Sequence, residues 1–208
     1  SAGAAAERAT GPAQNHLGMA RRLATRPEAL DRRAQSIAAA LAVTTLGDAK
    51  RAASELLKVA EADAAALTEQ LDTRERAEAM RNLGLEPGAA IPPQLRGQMK
   101  ALEEDQKRRA TRSLRDGIDR VLTDLLSLYR DVLLTAISVT DATVGAALIN
   151  SEERDRIVEL AERWGPRRAL AAIDAPEQAR DRLSRGVTPG LVAEAPFAGP
   201  IVDPAGAE

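Results

Sequence analysis

Apolar residues recur along most of this chain at steps of three and four, the spacing that gathers them on one face of an α-helix. Leu30, Ala34, Ile37 and Leu41 mark the first clear case. Thr25-Arg26-Pro27-Glu28 supplies its start signals: a hydroxyl, a Pro in the first turn and an acid just inside. Thr44, Thr45 and Gly47 interrupt the pattern, and a second helix is predicted from near Asp48 to about Asn82. Its apolar set is Leu56, Val59, Ala60, Leu67 and Leu71, with more polar sequence after Leu71. A third helix is predicted from about Leu95 to Ile137. Its first half is mostly charged. Its second half carries a dense stripe of Leu114, Ile118, Val121, Leu122, Leu125, Leu128, Val132 and Leu133.

Residues 84–94 hold two Gly and three Pro and predict a loop tip between these two long helices. A polar helix end, a Pro/Gly tip and a polar helix start together describe a projecting antiparallel hairpin with a packed base and a solvated end. Before the first clear helix, residues 1–14 break at Gly11-Pro12 and look like the edge of something larger. His16 to Ala24 then predicts a short helix on Leu17, Ala20 and Leu23. After the third helix, residues 138–150 are less regular. Ser151-Glu152-Glu153 opens a helix to Trp164, and Gly165-Pro166 reads as a stop. Arg167–Ile173 and Ala175–Arg185 predict two further short helices, and residues 186–195 a last turn. Residues 196–208, with three Pro and two Gly, predict a disordered tail. The expected fold class is all-α: a helical bundle with a projecting long antiparallel helical hairpin.

Composition strengthens that reading. Of 208 residues, 43 are Ala and 25 are Leu, good helix formers that lose little side-chain freedom in a helix, while aromatic residues number three. Ala faces let helices approach closely, so the larger Leu, Ile and Val positions must carry most of the burial. With no Cys and one His, the chain has no disulfide framework, no thiolate nucleophile and no poly-His metal site. Three aromatics cannot line a stacking platform for single-stranded nucleic acid. A net charge of −2 gives no domain-wide footprint for DNA. No apolar run reaches the ~18 residues of a membrane span, and no secretory signal opens the chain, so a cytoplasmic setting is expected.

Candidate chemistry is sparse. No phosphate-binding glycine loop is present, His16 has no triad partners to match, and carboxylate pairs such as Glu103-Glu104 point about 100° apart on a helix. No catalytic residue, cofactor site or metal site is expected. Lys107, Arg108, Arg109 and Arg112 form a basic run that is a possible phosphate or partner contact, but nearby acids favour ion pairing along the helix instead. Arg21-Arg22 and Arg32-Arg33 are read the same way. Tyr129-Arg130-Asp131 lies inside the apolar stripe, as either an interface hot spot or a core Tyr with its hydroxyl at the rim. Trp164 before Gly-Pro suits an anchor that locks a helix end onto the core. Leu125, Leu128, Tyr129, Arg130, Val132, Leu133 and Trp164 are the candidates for core and inter-subunit packing.

Three segments resemble the delta-prime subunit of the bacterial DNA polymerase III clamp loader in its actinobacterial form: Asn15–Thr25 (NHLGMARRLAT), Glu103–Thr111 (EEDQKRRAT) and Asp119–Leu133 (DRVLTDLLSLYRDVL). The likeness covers roughly residues 8–195. It implies that residues 1–26 end a helical lid domain and residues 27–195 form a helical collar, with a hairpin insertion around 60–112 and a disordered tail over 196–208. The AAA+ nucleotide-binding-like domain would lie upstream. In nucleotide-sensing relatives a lid motif carries an Arg where this chain has Gly18, which suits a subunit that does not hydrolyse ATP. The end of the chain departs from the family pattern through Gly186 and Gly190. The partners implied are the gamma/tau and delta subunits through the collar, with the sliding clamp and primer-template DNA met only through the whole complex, and no membrane. Setting the resemblance aside, a generic helical adaptor or dimerisation module, acting through the hairpin as a coiled coil, is the competing expectation.

Overall fold

A computed structural model describes residues 27–86, 89–137 and 148–198. Among the described residues there is no strand, and helix dominates. The elements are α1 (Pro27–Leu41), α2 (Leu46–Asn82), a 3-10 turn (Pro93–Leu95), α3 (Arg96–Ile137), a second 3-10 turn (Ser151–Glu153), α4 (Arg154–Ser184), α5 (Pro189–Ala193) and α6 (Ala195–Ala198). The short helix over 16–24, most of the 138–150 connection and residues 199–208 of the tail lie outside the described residues.

The chain divides into two compact units, one running to Leu56 and resuming at Asp119, the other spanning Leu57–Ile118. The first is a helical bundle. Ile37 and Ala40 of α1, with Val43 just beyond it, meet Ala49, Ala52, Ala53 and Leu56 at the start of α2 in one core. Leu125, Leu128, Tyr129, Val132 and Ala136 of α3 join it, as do Ile157, Leu160, Ala161, Ala169 and Ala172 of α4 and Phe197 of α6. Alanines supply most of the α2 and α4 contribution. The larger α3 side chains fill the space between them, as the composition requires.

The interruption before α2 is a helix cap. The Asp48 N–H donates to Thr45 Oγ1 at 3.2 Å while the Thr45 N–H donates to Asp48 Oδ2 at 2.9 Å, a reciprocal capping box with Asp in the Glu position. Thr44 adds its own N–H at 3.2 Å and its hydroxyl at 2.8 Å to the same oxygen. These donors, the Thr44 hydroxyl first, hold the Asp48 carboxyl well below the usual carboxylate range. The helix therefore starts at Leu46, two residues earlier than the pattern implies, because the β-branched residues lie outside it as caps.

The second unit is an antiparallel hairpin of residues 57–82 and 96–118. Pairings across it run in opposite senses: Arg76 meets Glu103 at 2.8 Å, and the Gln106 side-chain amide donates to the Asp72 carbonyl at 3.0 Å. Along α2 before the tip, Ala60, Ala64 and Thr68, spaced by four, are buried, whereas Leu67 and Leu71 are 56% and 43% exposed. The apolar set expected for this stretch is thus corrected. Small side chains allow close helix approach, so they take the seam and the leucines fall on its flank. Thr68 satisfies its buried hydroxyl on the Ala64 carbonyl at 3.0 Å. Met80 and Met99 are buried near the tip. Gly84 ends α2 at φ 72°, with its N–H donating to the Arg81 carbonyl and the Leu85 N–H reaching back to Met80 O at 2.9 Å. This closure satisfies the last carbonyls of the helix.

Three further expectations are revised. Ala34 is exposed, and Arg33 instead turns its side chain inward. Gly165, at φ 67° and ψ 173°, is non-helical and divides α4 into two helices, as the Gly-Pro stop predicts, but residues 167–184 form one continuous helix rather than two. Pro176 lies buried inside it. Its missing N–H costs a backbone bond, and packing of the ring against the bundle offsets that loss. Residues 196–198 are not disordered: α6 covers them, and Pro196 and Phe197 are buried.

Candidate functional site

The most elaborate side-chain constellation lies inside the bundle, where α1, α3 and the turn before α4 meet. On α3, Asp124, Ser127 and Asp131 follow one another at steps of three and four, forming a polar seam beside the apolar stripe. Arg33 of α1 enters it. Its Nη2 donates to Ser127 Oγ at 3.0 Å and to Asn150 Oδ1 at 2.7 Å, and its Nε lies 3.3 Å from Asp124 Oδ1. Asn150 returns to α3, donating its backbone N–H to Asp131 Oδ2 at 2.7 Å and its side-chain amide to the same oxygen at 2.8 Å. Asp131 is fully buried, and its other oxygen accepts from Arg130 Nη1 at 3.0 Å. Ser127 donates onward to the Asp124 carbonyl at 2.7 Å.

Every polar side chain in this cluster therefore has partners, which a buried group needs if it is not to cost stability. Burial pushes the Asp124 carboxyl up against the opposing pull of Arg33 and Arg120, leaving it raised to about 6. The cluster fixes the register of three segments that are distant in sequence. Arg33, Asp124, Ser127 and Asn150 were not singled out as site residues from the sequence. Arg33 reads there as half of an exposed Arg-Arg pair, and Asn150 as the end of an irregular stretch. The available signal was the polar spacing within an otherwise apolar helix face.

The packing candidates divide sharply. Leu125, Leu128 and Val132 have no exposed surface and Tyr129 has 2%, all of it spent within the chain. They are core residues, and as folded they offer no surface to another subunit, which corrects the inter-subunit half of that expectation. Leu133 is half-buried against the same core, and Arg130 is exposed. Trp164 behaves as an anchor: its ring centroid lies 5.9 Å from that of Tyr129, and the Arg168 guanidinium sits 5.5 Å over its face. The Tyr129 hydroxyl donates to the Pro196 carbonyl at 3.0 Å, and burial pushes its ionisation above the usual range.

In the hairpin, the basic run is paired with acids, as its neighbours suggest. Lys107 meets Glu104 at 3.3 Å and Arg108 meets Asp105 at 2.5 Å, each one turn away. Arg109 crosses to Glu75 through two bonds of 2.9 and 2.5 Å and lies 3.8 Å from Asp72. The Arg109 guanidinium holds the Glu75 carboxyl below its ordinary range. Arg112 is exposed beside this group. Among the described residues no group of three or more His, Cys, Asp or Glu could hold a metal ion, and no helix is long and apolar enough to cross a membrane. No protein-family model, curated protein or solved structure matches the chain.

Proposed function

We propose that this chain is a non-catalytic structural subunit of a bacterial DNA polymerase III clamp loader, of the delta-prime kind, working in the cytoplasm. The observation that supports this most is where the resembling segment falls. Asp119–Leu133 supplies the central side chains of the bundle, with Tyr129 and Asp131 both buried and both bonded across the fold. The third of the three resembling segments is thus one on which the bundle is built. In this reading the bundle is the collar. It sets the position of the AAA+ modules, while other subunits bind and hydrolyse ATP. DNA is met only through the assembled complex.

The test is reconstitution. Mixed with gamma/tau and delta subunits, the chain is expected to co-elute with them in one complex on size exclusion. Failure to be retained by any of them overturns the proposal. A second reading, a helical adaptor acting through the hairpin, draws on the exposed Leu67 and Leu71, one turn apart on α2. It predicts that Leu67→Glu abolishes a partner interaction that needs no loader subunit.

A further inference from the structure

All three aromatic residues of the chain belong to the bundle core. Tyr129 and Trp164 form a tilted pair on α3 and α4, and Phe197 joins the same core from α6. The segment of α5 and α6 closes over this socket where the Pro196 carbonyl accepts from Tyr129; its Val192, Pro196 and Phe197 are almost fully buried, while Leu191 is 74% exposed. Helices of five and four residues have no stability of their own, so these side chains are what hold the segment in place. Its backbone bonds are local: Leu191 N–H to Thr188 O at 3.0 Å and Phe197 N–H to Glu194 O at 3.2 Å.

The last turn of α4 closes without hydrogen bonds from the segment. α4 ends at Gly186, with φ 87°, in a closed turn of its own. The Gly186 N–H donates to Leu183 O and the Val187 N–H to Arg182 O, both at 3.1 Å. Lifting residues 189–198 away therefore leaves the last carbonyls of α4 satisfied. It also removes the Pro196 carbonyl from the buried Tyr129 hydroxyl and opens an apolar hollow, a state that favours refilling with the same shape and the same acceptor.

We propose that residues 189–198 are a releasable strap, and that the Tyr129–Trp164 socket beneath accepts the equivalent strap of a second copy of this chain. Phe197 fills the hollow and the Pro196 carbonyl accepts from Tyr129, in cis or in trans with the same contacts. Exchange of an identical element is a low-cost route to a dimer, and residues 185–188 are the hinge. The inference stands on the bundle alone and does not require the clamp-loader reading.

Hydrogen exchange on the intact chain tests the opening. Amides of 189–198 are expected to exchange at least about a hundredfold faster than those of α3 around Tyr129, through an opening insensitive to low urea. Tyr129→Phe should speed that opening by roughly fivefold, the worth of one net hydrogen bond. Exchange of the strap at the rate and urea dependence of α3 overturns the proposal. Deleting Val187 and Thr188, at the loss of the Val187 bond to the Arg182 carbonyl, tests the occupant, because the shortened strap can no longer reach its own socket. Sedimentation should then show a dimer, and excess synthetic peptide 187–198 should return it to monomer, whereas the Phe197→Ala peptide should not. A monomer with an unprotected strap, or a dimer indifferent to the peptide, excludes exchange between copies. If the shortened chain does not fold, the wild-type exchange rates and their response to Tyr129→Phe decide the matter.

Discussion

Asn150→Ala is the sharpest perturbation of the buried polar cluster. The substitution removes the 2.8 Å bond to Asp131, the weaker 3.3 Å contact to Ser127 and the acceptor 2.7 Å from Arg33. The backbone N–H to Asp131 remains. Two of the lost bonds involve a charged partner, each worth about 1.5–3 kcal/mol. Asp131 is fully buried, so solvent can replace little of this. The side chain that leaves is small, and the neighbouring Arg33 can relax toward Asp124, which lies 3.3 Å away. A net loss of about 3 kcal/mol follows, near the lower edge of what breaking a buried charge pair costs. The assay is urea unfolding followed by Trp164 fluorescence, which reports on the bundle because Trp164 packs against its core. Arg33→Met completes the test. Since the two residues share one bond and one network, the double variant should cost about 1–2 kcal/mol less than the sum of the singles. A loss below about 0.5 kcal/mol for Asn150→Ala, or strict additivity with Arg33→Met, would refute the idea that the cluster acts as one unit.

Other predictions follow from local geometry. Asp124 is raised in the folded state from 3.8 to about 6, so the folded chain takes up a proton that the unfolded chain does not between those values. Its contribution to stability is full below about pH 4 and is lost as pH rises through 6, a change of about 3 kcal/mol. Stability measured from pH 4.5 to 7.5 should therefore show wild type gaining on Asp124→Asn as pH falls, and parallel curves would contradict the assignment. Ala64→Leu should destabilise the hairpin by about 1–3 kcal/mol through overpacking of its small-residue seam, while Leu67→Glu, on the exposed flank, should stay within about 0.5 kcal/mol. Circular dichroism melts of the two variants compare them directly. Gly165→Ala should cost about 1–3 kcal/mol in the same melts, the strain of an L-residue in a backbone region that is essentially glycine-only. No atom lies within 4 Å of the added methyl, so the whole cost is that of placing it at φ 67° and ψ 173°.

The sequence carries the helices more clearly than their contacts. Repeats of three and four mark α1, α2 and α3 within a few residues, and the Pro/Gly run at 84–94 marks the tip between the last two, because these signals are local. The partition of apolar residues is not local. Leu67 and Ala64 both fit the helical period of α2, and only the distance to the opposing helix decides that the alanine is buried. Pro176 resembles a helix start because proline is at home in a first turn, and burial against the bundle overrides that preference. Arg33 and Asn150 stand 117 positions apart, and no pattern within either neighbourhood announces the 2.7 Å bond between them. The pairing of Lys107 and Arg108 is legible in the other direction, because their acids lie one turn away along the same helix, whereas Arg109 crosses to Glu75 on the opposing one.

Asp131 binding the backbone and side chain of Asn150 has a consequence for how much the chain can vary. The two residues staple the middle of α3 to the entry of α4 across 19 positions of chain. An insertion between Arg33 and Ser36, or between Asp124 and Asp131, would shift the polar register and unfold what the staple holds.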